Sequence, residues 1–175
     1  TTFTDSINQK DKSLVRNSKE YLAIRCGMQE VYTYPWMNDV FVNAVLQSTD
    51  GVLKLSTPPA PDMSCIRSSL LPNLCEAVAK NERYFNDFSI FEEAQVFFDK
   101  NYTNAYDETE SLPEQRRHIG AAFASSVKDI GMLFREAKGV LEYMPRYTHM
   151  EAYEFKKEEK PVWADNVVWL NIYLD

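Results

Sequence analysis

Apolar and polar positions recur along this chain with two different periods, and the changes of period mark its elements. From Ser13 to Cys26, Leu14, Ser18, Tyr21, Leu22 and Arg25 fall at helical spacing and Gly27 supplies a stop, so the pattern predicts an amphipathic helix. Glu30–Pro35 (EVYTYP) then reads as a strand, ended by a proline that cannot continue a ladder. A short helix is predicted over Asn38–Leu46, and a second strand over Val52–Thr57 (VLKLST), which runs into the turn-forming PPAPD. Leu70, Leu71, Leu74, Ala77 and Val78 make the next helical stripe, with Ser68 or Ser69 placed to cap it and Pro72 tolerated in its first turn.

Phe88–Phe98 predicts a long strand, Tyr102–Glu114 a polar, acidic loop, and Arg117–Ala124 a strand with Ile119, Ala121 and Phe123 on one side. A helix is predicted over Lys128–Met144, with Leu133, Ala137, Val140, Leu141 and Met144 in register and Pro145 ending it. From Tyr147 the pattern reads as strand, charged turn (KKEEK) and strand. In the closing VVWLNIYLD, Val168, Leu170, Ile172 and Leu174 share one face, and Val167, Trp169 and Tyr173 share the other. A strand apolar on both faces is expected inside a sheet covered on two sides, so the chain reads as a piece of something longer. Strands outnumber helices and are joined by hairpin-like loops, which predicts an α+β domain built on an antiparallel sheet. Residues 1–12 read as a leader or linker and residues 13–175 as one core domain.

Composition narrows the class. With 45% hydrophobic and 26% charged residues, the 175-residue chain has globular proportions, and its 23 aromatic residues can bury enough area to dispense with staples. No apolar run approaches the roughly 18 residues a membrane helix needs, and TTFTDSINQK lacks the apolar core of a signal peptide. The net charge of −7 repels phosphate backbones at long range, which makes the chain a poor candidate for gripping DNA or RNA by itself. Cys26, Cys65 and Cys75 are an odd set without CxxC spacing, which points to reduced thiols and a cytoplasmic location.

Few residues carry obvious chemistry. His118 and His149 have no zinc-ligand spacing, and the glycine-rich phosphate loops and the GxSxG elbow are absent. More telling is the even face of the Phe88–Phe98 strand: Phe88, Ile90, Glu92, Ala94, Val96, Phe98. A lone carboxylate among five apolar side chains is costly unless it is paired or faces a cleft. Arg67, just ahead of SSLLPNL, is the obvious cation to pair with Glu92. Two readings stand side by side: a satisfied structural pair, or residues lining a ligand cleft.

Four motifs in order then give a resemblance. IRSSLLPNLCEAVAKN followed by FSIFEEAQVF, with GMQEVYTYPWM upstream and FREAKGVLEYM downstream, resembles the core module of the phenylalanyl-tRNA synthetase beta-subunit family. The resemblance runs from about Leu22 to the C-terminus. It implies a class II synthetase catalytic-like fold, an antiparallel sheet flanked by helices, whose first motif is a long helix and a proline-ended strand that builds subunit interfaces. Ser13–Cys26, Gly27 and Glu30–Pro35 fit that shape. In active members, as the resemblance implies, a second-motif arginine holds the ATP α-phosphate. Here AQVFFDK places Phe98 at that position, and no arginine occurs between Arg83 and Arg116. A third-motif arginine would lie beyond Asp175.

The resemblance therefore implies a catalytic-like module without the chemistry, with no catalytic residue, no metal and no cofactor of its own. Arg67, Glu92 and Phe98 would line a pseudo-active-site cleft. The whole enzyme would join phenylalanine to its tRNA with ATP and magnesium, as two alpha and two beta subunits, with tRNA bound only in the full assembly. Neither DNA nor a membrane is expected as a partner. Leu14, Ser18, Tyr21, Leu22, Tyr34 and Trp36 are the candidate contacts to the catalytic alpha subunit, the alternative being that the helix packs its stripe on its own sheet. Two other functions compete: an active ATP-dependent ligase domain, which needs an arginine the motif lacks, and an unrelated cytosolic protein-interaction domain.

Overall fold

The computed structural model describes residues 10–45, 49–103, 111–161, 164 and 169–173. The chain opens with α1 (Lys10–Glu20), which relaxes into a π-helical turn at Tyr21–Arg25 before Gly27 reverses the backbone at φ +67°. Glycine meets no steric penalty there, so the predicted stop is real. Helical geometry already covers Lys10–Lys12, which the sequence reading assigned to a leader.

The centre of the molecule is a long two-stranded ribbon. β4 (Asp87–Thr103) pairs antiparallel with β5 (Ser111–Ser125), and short β1 (Gln29–Glu30) lies parallel along the other side of β4. Both ribbon strands exceed their predicted lengths. Tyr102, Thr103 and Ser111–Glu114, expected in a loop, extend the ladder past a register shift between Phe98 and Asn101. Pro113 is tolerated because β5 has no further partner strand among the described residues.

Each face of the ribbon buries a separate core. On the odd face, Phe91 meets Tyr21 and Leu22 of the π-turn, Met28, and Met144 of α4 (Ile130–Thr148). On the even face, Ile90 and Val96 meet Leu70 and Leu74 at the start of α3 (Leu71–Asn81). Gly120, opposite Glu92, lies so close to α3 that a Cβ there would meet Leu74 Cδ1 at 2.8 Å. A third small cluster joins Met37 of β2 (Trp36–Met37), Val42 of α2 (Asp39–Ala44) and Cys65 of β3 (Cys65–Ile66).

Several predicted elements come out differently, each for a local reason. The Glu30–Pro35 strand shortens to β1: Val31 still donates to the Phe91 carbonyl, but the Thr33 amide turns to the Glu92 side chain and leaves the ladder. Val52–Thr57 keeps only an isolated bridge, Lys54 to Cys65, before the prolines at 58, 59 and 61 remove its donors. α3 has Leu70 at its cap position, and Ser69, one residue earlier, takes the Leu71 amide on its hydroxyl at 3.2 Å.

Pro145 does not end α4. The helix runs through it to Thr148, whose hydroxyl donates to the Met144 carbonyl, and His149 closes it in the left-handed region at φ 58°. His118, placed by its sequence at a strand start, lies mid-strand opposite Ala94. At the C-terminal end, β6 (Glu154–Lys156) and β7 (Asn171–Tyr173) form a two-stranded antiparallel pair, with Ile172 and Tyr173 exposed. Val167, Val168, Leu174 and Leu46 lie outside the described residues.

Candidate functional site

The candidate site is the place where three chain segments meet over the even face of β4. Arg67 follows β3, and its backbone is held on both sides: its amide donates to the Pro35 carbonyl and its carbonyl accepts from the Phe97 amide. The residue is 6% exposed, and its side chain reaches under the ribbon. Nε donates to the Gln95 carbonyl at 2.8 Å, and Nη1 donates to Glu92 Oε1 at 3.0 Å and to Thr33 Oγ1 at 3.2 Å. Glu92, 1% exposed, also accepts from the Thr33 amide at 3.0 Å and from its hydroxyl at 2.7 Å.

Both charges are thus paired and both Glu92 oxygens accept, the condition under which a buried ion pair is tolerated. The structure brings Arg67 and Glu92 together and joins Thr33 to them. Thr33 escaped the sequence reading because a threonine in an alternating segment signals only a strand. The one available signal was that a buried carboxylate needs more than one donor.

Phe98 is a neighbour of this clasp but not part of it. Its half-buried ring packs on the Leu70–Leu74–Ile90–Val96 cluster. Above it sits the Arg116 guanidinium, 5.5 Å from the ring centre, which is tied to Glu114 through Nε at 2.7 Å and Nη2 at 2.5 Å. The His118 ring lies 6.4 Å from the Phe98 ring. Desolvation, and secondarily the Arg116 charge, holds the imidazole below its usual pKa and so favours its neutral form.

A fit test for a nucleoside triphosphate at this place gives a negative answer. The nearest exposed guanidinium is neutralised by a carboxylate, the buried one is paired with Glu92 and bonded through Nε and Nη1, and an aromatic ring cannot donate to a phosphate. Among the described residues, no group of three or more His, Cys, Asp or Glu side chains is gathered as a metal site.

The six candidate contact residues separate into three groups. Tyr21 and Leu22 are buried in the odd-face core, Ser18 is buried beside the groove described next, and the Tyr21 hydroxyl donates to the Val140 carbonyl at 2.8 Å. Loss of solvent around that phenol pushes its pKa far above the ordinary tyrosine value. Leu14 is half-buried and lines an apolar groove of about 710 Å³ with Val15, Ile119, Leu141 and Tyr153. Tyr34 and Trp36 lie on the opposite side of the sheet. Their rings stack at 4.5 Å and 8°, Tyr34 is 70% exposed, and they border a groove of about 360 Å³ with Tyr32 and Lys80. Asn73, at the floor of that groove, donates to both the Tyr34 and Trp36 carbonyls and fixes the segment's course.

A ribbon of antiparallel strands carrying helices on both faces, entered through a helix and a proline-ended segment, is the class II aminoacyl-tRNA synthetase catalytic fold. Two solved structures of pyrrolysyl-tRNA synthetase from Desulfitobacterium hafniense match it. One has a TM-score of 0.67 at 13% identity and covers 93% of this chain and 54% of that one. The other has a TM-score of 0.63 at 15% identity and covers 84% of this chain and 50% of that one.

Residues 2–168 match the family described as the phenylalanyl tRNA synthetase beta chain CLM domain, and the chain belongs to that family. Among curated relatives, the phenylalanine–tRNA ligase beta subunit of Brucella abortus (strain 2308) is 32% identical over 114 residues, 65% of this chain. That of Carboxydothermus hydrogenoformans is 34% identical over 99 residues, 54% of this chain. The aligned region spans 13% of the Brucella subunit and 11% of the Carboxydothermus subunit. Membership removes the reading of an unrelated interaction domain.

Proposed function

We propose that this domain is a noncatalytic, catalytic-like module that helps assemble phenylalanine–tRNA ligase by docking against the catalytic alpha subunit. In this reading the whole enzyme charges tRNA with phenylalanine in the cytoplasm, using ATP and magnesium held elsewhere, as two alpha and two beta subunits, with tRNA bound by the full assembly. The observation that carries the reading is Phe98. By the motif resemblance the α-phosphate arginine would stand at Phe98, where this chain has an aromatic ring, and the nearest guanidinium, Arg116, is paired with Glu114. Arg67 and Glu92 then act as a structural clasp.

The docking face follows from exposure. Tyr21 and Leu22 are core residues whose replacement by charge would unfold the domain, which leaves the Tyr34–Trp36 stack as the aromatic anchor able to enter a partner's pocket. The test is co-purification of the protein with a catalytic alpha subunit. Tyr34→Asp should cost at least tenfold in affinity, on the scale of roughly 1.4 kcal/mol per decade, with the melting temperature of the free domain unchanged. Undiminished co-purification of Tyr34→Asp would show that this face is not the docking surface. Saturable ATP binding by the isolated domain would favour an active ligase instead.

A further inference from the structure

α3 presents one stripe to the groove beside the Tyr34–Trp36 stack: Asn73, Glu76 and Lys80, spaced by three and four residues. Asn73 is 3% exposed, and its side-chain amide donates to the Tyr34 carbonyl at 3.2 Å and to the Trp36 carbonyl at 3.0 Å. These two bonds use both N–H donors and leave Oδ1 without a hydrogen-bond partner. The other buried oxygen so left among the described residues, Glu30 Oε1, faces the Lys19 ammonium in an ion pair at 2.5 Å, so its need is met. Asn73 Oδ1 has no such relief. A buried acceptor left unpaired costs more than a made bond returns, so an orphan in the lining of a groove points to a donor arriving from outside.

The rest of the lining specifies the donor. Tyr34 and Trp36 contribute stacked rings, a surface suited to a flat group. Glu76, its side chain 17% exposed, meets one cation among the described residues, Lys80 Nζ at 2.8 Å from Oε1. The Lys80 side chain is 70% exposed, so this is a helix-surface pair that a better-placed cation can displace at little cost. The groove thus offers an unpartnered acceptor, a loosely held carboxylate and an aromatic wall.

We infer that this groove receives an arginine side chain of the protein partner docked on this face. A guanidinium alone among side chains combines a flat cationic face for the rings with several in-plane donors for Asn73 Oδ1 and the Glu76 carboxylate. An anion would meet a bare acceptor and a carboxylate, with Lys80 as its sole attraction. Lysine brings the charge without the plane, and a neutral amide brings the plane without the charge. The chain's net charge of −7 favours approach of a basic partner surface over an acidic one. The inference rests on the docking reading for the identity of the partner, and it adds the residue type that the partner must present.

The experiment titrates the protein with N-acetyl-arginine amide and follows the Asn73 side-chain amide signal by heteronuclear NMR. The matching citrulline amide, neutral and of the same shape, and the matching lysine amide are run beside it. The arginine probe should shift the Asn73 signal saturably and bind about fivefold more tightly than either counterpart. Glu76→Gln should weaken its binding by about fivefold, and Lys80→Ala, which frees the carboxylate, should tighten it by about threefold. Co-purification with the alpha subunit should move in the same two directions. The inference is overturned if the Asn73 signal stays still, as it would with water alone at Oδ1, if citrulline or lysine binds as well as arginine, or if Lys80→Ala brings no gain. The two readings fail separately. Loss of co-purification in Tyr34→Asp with no response to the probe keeps the docking face and removes the arginine. Parental co-purification of Tyr34→Asp with the expected order of probe affinities removes the docking reading and keeps the arginine site.

Discussion

Truncating Arg67 to alanine is the most direct probe of how this domain is held together. The substitution removes the donors to the Gln95 carbonyl, Thr33 Oγ1 and Glu92, and leaves Glu92, 1% exposed, with only the two donors of Thr33. Breaking a buried pair from one side strands the other charge, which costs about 3–5 kcal/mol. For a chain of this size each kcal/mol moves Tm by about 2–4 °C, so a fall on the order of 10 °C is expected. Glu92→Gln should also destabilise, because it keeps the shape but leaves the guanidinium unneutralised.

The decisive measurement is the full cycle. Arg67→Ala/Glu92→Gln removes both charges together, so it should cost well under the sum of the singles, with a coupling of about 1.5 kcal/mol or more. Urea unfolding of the four proteins, followed by circular dichroism, gives the four stabilities. A shift under about 2 °C for Arg67→Ala, or additivity within roughly 0.5 kcal/mol, would refute the clasp.

Three further outcomes are expected. Gly120→Ala drives a methyl against Leu74 and against Leu70 Cβ at 3.2 Å, so thermal melts should show a loss of about 1–3 kcal/mol. Asp129→Ala removes the side chain that accepts the Met132 amide at 2.8 Å and caps α4, and equilibrium unfolding should show a loss of about 1 kcal/mol. His118 has its folded pKa below the unfolded value of about 6.5, so its contribution is fully present above that pH and is lost as pH falls through the lowered folded value. The melting temperature of His118→Gln should therefore decline less than that of the parent below pH 6.5, which parallel melts across the acidic range would check.

The candidate site was legible in the sequence to the extent that it obeyed a strong energetic rule. A carboxylate on an otherwise apolar strand face needs a partner or a cleft, and Arg67 was the expected cation; the contact itself is set by the fold. Thr33 did not follow, because its part depends on where a chain segment leaves the sheet, and no local pattern records that. The same departure shortened the strand predicted over Glu30–Pro35. Pro145 misled for a related reason: its missing donor removes one hydrogen bond from α4, and packing of Met144 and Thr148 in the interior keeps the helix going.

Sequence alone determined the α+β class, the long Phe88–Phe98 strand with its buried glutamate, the absence of arginine from the stretch between Arg83 and Arg116, and the family resemblance. These are properties of composition, period and order along the chain, which local sterics and burial translate directly into structure. Tertiary structure decided which apolar stripe is core and which surface is free. Tyr21 and Leu22 go inside because Phe91 and Met144 close over them, whereas Tyr34 stays outside because Asn73 pins its backbone at the groove edge. It also placed Arg25 over Tyr147, a contact across 122 residues of chain that no periodicity encodes.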